Sequence, residues 1–373
     1  MGTNSHQKHT KLTLRENDNF APNEIAVLGT KCSIIANFVQ KIAKNLQKKA
    51  KIAYLDASHS DSIEAPIFDS FTAHHSGNFS TTITKFSDKN NNRIFFSDYD
   101  LLFINGNHYQ GTKQILILDN EKEASVLKRL NELDRIQFVV KLNDHSDYFD
   151  FLVQEYPNIK NLKCYLIDDI EAISNHISNL IKEKIAPVQG LVLAGGKSSR
   201  MGKDKTQLKY YDKSQLDHAV SLLEKKLLKT YVSIAVNQEL DTYDFIQDKF
   251  VGLGAFGAIC SAFQYNPNKA WLVLATDLPF VDDKLIQLLL NKRNPTKVAT
   301  AIKGKSKQFV EPLVTIYEPK AYQKMLNYLA QGYSCPRKVL INSDVEIVEV
   351  DDDLIRNINT PEEYQEALKE IKS

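Results

Sequence analysis

Residues 191–205 read LVLAGGKSSRMGKDK, and the fold of the second half of the chain turns on them. With Val188, Gln189 and Gly190 before it, the apolar run reads as a buried parallel strand that breaks at Gly195 and Gly196. Paired glycines let the backbone turn sharply and leave N–H groups bare, which suits an anion. Arg200, Lys203 and Lys205 then bring positive charge to the same loop, and Asp204 limits the excess. Two glycines alone are equally a tight strand-to-helix turn with a solvated basic face. The full spacing (Gly-Gly, Arg four residues on, Met-Gly directly after, then Asp-Lys) points to a polyphosphate. It is not a Walker A loop, because nothing in it reads G-x-x-x-x-G-K-[ST].

Downstream, apolar periodicity predicts a helix over about 213–229, with Leu216, Val220, Leu223 and Leu227 on one face. YVSIAVNQ (231–238) reads as a strand ending in Asn237-Gln238, and DKFVGLGAFGAICSAF (248–263) as a glycine-rich turn into a helix. WLVLATDLPFV (271–281) is a buried strand that stops at Thr276-Asp277, with Pro279 preventing its continuation. KVATAI (297–302), EPLVTIY (311–317) and VEIVEV (345–350) add strands, and helices follow at about 319–330 and 361–371. Parallel strands with polar residues at their carboxyl ends describe an open α/β nucleotide-binding sheet. Asp277 has two readings here. It caps the next turn, or it holds Mg²⁺ between phosphate oxygens.

Upstream, EIAVLG (24–29), SIIANFVQKIAKNLQKK (33–49) and KIAYLD (51–56) form a strand–helix–strand opening, which predicts a parallel sheet covered by helices. DLLFING (100–106), QILILD (114–119), RIQFVVK (135–141) and KCYLIDD (163–169) add strands, with helices near 121–133 and 170–184. Residues 58–92 read as loop with short edge structure, and His74-His75 within them as solvated. His6 and His9 lack a third ligand for a metal. The turn after the first strand, GTKCSIIANF, has Lys31 too early and no Gly-Lys-Thr. NTP hydrolysis by this half is therefore not expected.

The chain has 373 residues, enough for two domains, and its 43% hydrophobic and 25% charged content is ordinary for a globular protein. We place a flexible tail at 1–22, one α/β domain at 23–186 and a second at 187–373, joined by the short linker EKIAPV. A net charge of +1 gives no reason to expect a nucleic-acid or membrane surface. No apolar run approaches the roughly 20 residues of a membrane helix. The polar N-terminus has no secretory h-region and fails the myristoylation pattern, with His6 where Ser or Thr is needed. Cys32, Cys164, Cys260 and Cys335 form no C-x-x-C pair and read as thiols in a reducing compartment. A cytoplasmic location is the expectation.

LAGGKSSRMGKDK resembles the signature loop of the nucleotidyltransferases that include molybdenum cofactor guanylyltransferase, over about the C-terminal half of the chain. The resemblance implies a Rossmann-like, GT-A-like nucleotidyltransferase fold for that half. It also implies that Leu193, Ala194, Gly195 and Gly196 grip the nucleotide, that Lys205 contacts it, and that Asn237 and Asp248 add further contacts. The aspartate of the family's T/C-D-x-P motif matches Asp277, which then binds magnesium and nucleotide. Arg200, Lys205 and Asp277 become the catalytic set. Gly254-Ala255-Phe256-Gly257 replaces the family's Gly-Pro-Leu-Ala-Gly type of turn, so that loop is modified. NINTPEEY (357–364) matches the family's Asn-x-Asn-Thr-Pro-Glu-Glu run. Helix capping alone explains Thr360, Pro361 and Glu363. It leaves Asn359, which the resemblance sets on the metal or acceptor side, with Arg337 of GYSCPRK (332–338) meeting the acceptor's phosphate. Glu311 of EPL stands on the acceptor side without an assigned role.

In the first half, Asn105-Gly106 and Lys113 stand where a P-loop GTP-binding adaptor of molybdopterin-dinucleotide synthesis has Glu-Gly and a lysine. That resembles a domain that has lost its nucleotide loop, and an unrelated α/β domain is the alternative. Leu-Ala-Gly-Gly resembles the guanylyl-transferring branch, whereas the cytidylyl branch more often has Leu-Ala-Ala-Gly. GTP and molybdopterin are thus the implied substrates, Mg²⁺ the implied cofactor, and molybdoenzymes or their chaperones the implied partners. Two rivals stay open at this point: a relative using CTP or a sugar phosphate, and a non-catalytic scaffold. The clustered charges of Lys205 and Asp277 weigh against the scaffold.

Overall fold

The computed structural model describes residues 20–57, 70–76, 79–82, 89–194, 205–226 and 228–372. The chain forms two compact units that divide between Lys184 and Ile185. The first unit runs β1 (Glu24–Leu28), α1 (Cys32–Leu46), β2 (Ile52–Leu55), β3 (Ser70–Ala73), β4 (Phe79–Thr82), α2 (Lys89–Phe96), β5 (Leu101–Asn105) and β6 (Gln114–Leu118). It continues with α3 (Glu123–Lys128), β7 (Ile136–Lys141), α4 (Asp150–Glu155), β8 (Cys164–Leu166) and α5 (Ile170–Lys182).

Six of these strands form a wholly parallel sheet in the order β2-β5-β1-β6-β7-β8. Strands β1, β5 and β6 are buried along their length, as expected where helices cover both faces. Helix α1 buries Ile35, Phe38, Val39, Ile42 and Leu46, one face at helical spacing, in the same core as Ile173 and Ile177 of α5. Strands β3 and β4 form a separate antiparallel hairpin, and His74 and His75 beside it are exposed. The helix expected near 121–133 breaks into the short α3 flanked by 3₁₀ turns. Asp119 starts the first of these by accepting from the Glu121 N–H.

The second unit runs β9 (Val188–Leu193), α6 (Gln215–Glu224), β10 (Thr230–Ile234), β11 (Phe245–Gln247), α7 (Gly254–Tyr265), β12 (Ala270–Ala275) and α8 (Asp283–Asn291). It ends with β13 (Ala299–Gly304), β14 (Glu311–Tyr317), α9 (Pro319–Ala330), α10 (Pro336–Ile341), β15 (Val345–Val350) and α11 (Pro361–Lys372). The seven strands lie in the order β11-β10-β9-β12-β14-β13-β15. Every pairing is parallel except those of β14, which runs against both of its neighbours. Both units are therefore mixed α/β with mostly parallel sheets flanked by helices, the class read from the sequence.

Element limits differ from expectation at two places that bear on the site. Helix α6 begins where Ser214 accepts from the Asp217 N–H and ends at Glu224, short of the expected 229. Leu227 lies outside the described residues. Strand β10 stops at Ile234, because Gln238 folds back: its N–H donates to the Ala235 carbonyl and its Oε1 accepts from the Ala235 N–H. That closed turn takes Asn237 out of the sheet and leaves it exposed. Among the described residues no helix is long and apolar enough to cross a membrane.

Candidate functional site

Strand β12 carries a fully buried apolar run and breaks at Thr276-Asp277. At this end the neighbouring β9 also stops: the Leu193 carbonyl accepts from Thr276 Oγ1 at 3.3 Å, and Ala194 N–H donates to Ser233 O at 3.3 Å. Leu193 and Ala194 are thus pinned between β10 and β12. Gly195, Gly196, Arg200, Lys203 and Asp204 lie outside the described residues. Lys205 opens a 3₁₀ turn, Lys205–Gln207.

The antiparallel β14 changes what faces Asp277. Its register sets Leu274 opposite Val314. Carried three residues further, the same register sets Asp277 across from Glu311, the first residue of β14. Burial pushes the Glu311 carboxyl up and the Asp277 charge adds to this, while the Leu313 N–H and the Arg337 guanidinium pull it down. Glu311 is 7% exposed, its Oε1 accepts from Leu313 N–H at 3.1 Å, and its Oε2 lies 3.5 Å from the half-exposed Arg337 of α10. A buried carboxylate thus anchors an arginine whose side chain still reaches water.

The turn before α11 closes the other side. Ile358 N–H donates to the Asp277 carbonyl at 3.0 Å. Glu363 Oε2 accepts from the N–H groups of Asn359 and Thr360 at 2.6 and 3.2 Å, and the Glu363 N–H donates to Thr360 Oγ1 at 3.3 Å. This is the capping box the sequence spelled, and it leaves the Asn359 residue exposed one step from the Asp277 contact. Behind it, Leu208 and Tyr210 pack with Ile358 and Ala367. Tyr210 is buried edge-on against Tyr364 and faces Asp277 and Glu363, so burial and negative charge both push its hydroxyl up.

The structure therefore brings together Asp277, Glu311, Arg337 and the Asn359 turn. It gives Asp248 a supporting task as well: Oδ1 accepts from Phe250 N–H at 2.8 Å and from Ser261 Oγ at 2.9 Å, fixing the turn into α7. Gly252 and Gly254 take left-handed φ values of +83° and +56° in that turn, which glycine adopts without strain. Asn237 shares the carboxyl edge, beyond β10, but stands in its own exposed turn. Sequence reasoning left Glu311 without a role and passed over Tyr210. The pairing of β14 was the missing signal for the first. For the second, the aromatic pair Tyr210-Tyr211 soon after Lys205 was there to be read.

Residues 190–346 match the family described as MobA-like NTP transferase domain. A molybdenum cofactor biosynthesis bifunctional protein of Synechocystis is 32% identical over 183 residues, 48% of this chain and 53% of its own length, so the chain spans about half of that relative. A probable molybdenum cofactor guanylyltransferase of Carboxydothermus hydrogenoformans is 29% identical over 48% of this chain and 93% of its own. The solved molybdopterin-guanine dinucleotide biosynthesis protein A of Archaeoglobus fulgidus aligns at 24% identity and a TM-score of 0.42, over 49% of this chain and 98% of that one. The second unit of the chain carries a MobA-like NTP transferase domain.

Proposed function

We propose that the second unit transfers the guanylyl group of GTP to the terminal phosphate of molybdopterin, giving molybdopterin guanine dinucleotide and pyrophosphate. The observation that carries this reading is the meeting of Asp277, Glu311 and Arg337 at the carboxyl edge of β12, inside the matched domain. The names of the relatives support the choice of GTP and molybdopterin over CTP or a sugar phosphate.

The attacking phosphate oxygen is already ionised at neutral pH, so no general base is needed. The protein's task is to bring two anions together and to stabilise the charge that builds on the leaving pyrophosphate. Arg200 and Lys205 supply cations for that, with the backbone of Leu193, Ala194, Gly195 and Gly196 gripping the nucleotide and Asn237 and Asp248 lying beyond it. Arg337, held by Glu311, meets the acceptor phosphate, with Asn359 beside it. Asp277 is a hard oxygen donor, and the buried Glu311 carboxylate faces it from the start of β14. That fits Mg²⁺, which binds through one or two carboxylates and fills its shell with water and substrate phosphate. When bound, Mg²⁺ supplies charge neutralisation and orientation at the phosphate oxygens. In this reading the protein works in the cytoplasm and passes its product to molybdoenzymes or their chaperones.

The test is pyrophosphate release by the purified protein with Mg²⁺ and molybdenum-loaded molybdopterin, across GTP, CTP, ATP and UTP. Release with GTP alone is expected. Release with CTP alone keeps the chemistry and overturns the base. Silence with all four, in a folded protein that still binds nucleotide, overturns the reaction.

A further inference from the structure

The carboxyl edge of the first sheet holds a constellation that guanylyl transfer does not use. Cys32 is the first residue of α1, a helix of 15 residues. Its Sγ lies 3.3 Å from Nε2 of His108, and the Asn107 side-chain amide donates to the same sulfur at 3.6 Å. Asn107 and His108 sit in the turn that follows β5, and that turn is held from several sides. Asn107 Nδ2 donates to Thr30 O at 2.7 Å and its N–H to Asn105 Oδ1 at 3.1 Å. The Arg129 guanidinium donates to Gly106 O at 2.8 Å and also to Asn107 O. Asn105 in turn donates to Asp56 Oδ1 at 2.7 Å. The imidazole is presented to the thiol by a fixed scaffold.

The charged and titratable groups around the pair come from each neighbouring element. Tyr54 of β2 faces Cys32, and Asp56 just beyond that strand faces His108. Lys31 precedes the helix and pairs with Glu121, while Asp119 at the end of β6 accepts from Thr30 Oγ1 at 2.6 Å. The helix start favours a thiolate, and the imidazole at 3.3 Å is placed to take the thiol proton. The chain supplies its own contrast. Cys260 is wholly buried in α7, and burial pushes its thiol up to about 12, the setting of an inert core cysteine. Cys32, by contrast, is only partly buried.

We propose that Cys32 and His108 form a nucleophilic thiol centre in the first unit that exchanges with small disulfides. The Cys32 sulfur attacks one sulfur of a disulfide RSSR. The S–S bond of RSSR breaks, a Cys32–S–S–R bond forms, and the other sulfur leaves as RS⁻. The proton that His108 took from the thiol goes to that leaving thiolate, so Cys32 thiol and RSSR become the mixed disulfide and RSH. The disulfide is the oxidant, and nothing else is consumed.

The experiment uses the full chain and 4,4′-dithiodipyridine, a small neutral disulfide, from pH 5.5 to 9. Peptide mass mapping reads Cys32 and the exposed Cys164 separately. Cys32 is expected to react at least about tenfold faster than Cys164 at pH 6.5, with its midpoint below the ordinary thiol value of about 8.5. His108→Gln is expected to abolish that advantage while Cys164 keeps its rate. Equal rates for the two cysteines in the unsubstituted protein overturn the proposal without any variant, so a poorly folding variant cannot rescue it. A His108→Gln chain in which Cys32 stays as fast overturns it too.

Discussion

The two units build the same kind of edge and finish it in opposite ways. In the first, three residues separate β1 from α1, and the side chains of that edge satisfy one another. Thr30 donates to Asp119, Lys31 pairs with Glu121, Asn107 ties the turn after β5 to the Thr30 carbonyl, and Arg129 is spent on two carbonyls. In the second, the residues that follow β9 in sequence are glycine-rich and cationic, and the neighbouring strand ends bring two carboxylates, Asp277 and Glu311, to face each other. Two carboxylates on one edge cost free energy unless something cationic completes them. Topology offers a ligand edge in both units, and the side chains set on it decide whether the chain fills it itself.

The sharpest break of that comparison is Asp277→Ala. If the second edge is the working one, pyrophosphate release falls by about three orders of magnitude, the scale for losing one charge-stabilising group. Lys205→Ala should fall by about two orders or more for the same reason. Near-normal turnover in both variants would end the assignment of this edge to nucleotidyl transfer.

The next effect tests how tightly the first edge is closed. Gly29 sits at φ +100°, and a Cβ there would lie 2.2 Å from the Ile117 carbonyl oxygen. Gly29→Ala combines a left-handed backbone with a clash against a main-chain atom of β6, and should cost about 3 kcal/mol or more. Trp271, the single tryptophan, lies in β12 of the second unit and reports unfolding there. The loss is expected in the far-UV circular dichroism transition and not in Trp271 fluorescence. An unchanged dichroism midpoint contradicts the tight turn.

Glu311 sharpens the comparison from the second side. Its folded carboxyl is held above the usual value by burial. A raised folded value means that the native state binds the proton more strongly than the unfolded chain. Its contribution to stability is therefore complete below the unfolded carboxyl value and is lost as pH rises through the folded one. Glu311→Gln removes that loss. The variant should melt a few degrees higher than the parent at pH 7, about 2–4 °C, and the gap should close as pH falls towards about 4. The same change frees Arg337 from its anchor, so kcat/KM for the acceptor should fall about tenfold. Higher stability with lower activity is the signature of a charge retained for function. A lower melting temperature at pH 7 would show the pair with Arg337 to be structural.

How much of this was legible follows from the range of each interaction. The strands LVL, WLVLATD and EPLVTIY stand out as apolar runs bounded by turn residues, and the Thr360–Glu363 box is spelled within four positions. The mutual facing of Asp277 and Glu311 was not legible, because it depends on β14 running antiparallel in a sheet that reads as parallel. Asn237 left its expected strand because Gln238 folds back on Ala235, a competition between side-chain and ladder hydrogen bonds that periodicity does not register. In the first unit the missing P-loop was plain from spacing. The pairing of Cys32 with His108 was not, since the two lie 76 residues apart and meet only through the parallel neighbours β1 and β5.

The smallest expected effect is the most pointed about the first edge. Among the described residues of that edge, Lys31 is the one that invites comparison with a phosphate-binding lysine. Its ammonium is engaged by Glu121 at 2.7 Å, and both side chains are well exposed, 53% and 72%. Glu121 holds the Lys31 ammonium above its ordinary value, and Lys31 holds the Glu121 carboxyl below its own, as two solvated partners do. Solvent screening leaves such a pair with little net worth. Lys31→Ala should therefore leave the melting temperature within measurement error and pyrophosphate release unchanged at every GTP concentration. A lysine that gripped a triphosphate could not be lost so quietly, because its removal would raise the GTP concentration needed for half-maximal release. An unchanged saturation curve in Lys31→Ala, set beside a collapsed one in Lys205→Ala, would assign the nucleotide to the second edge by direct contrast. A shifted curve in Lys31→Ala would instead make the first edge a second nucleotide site, and the self-satisfied reading of its side chains would have to be abandoned.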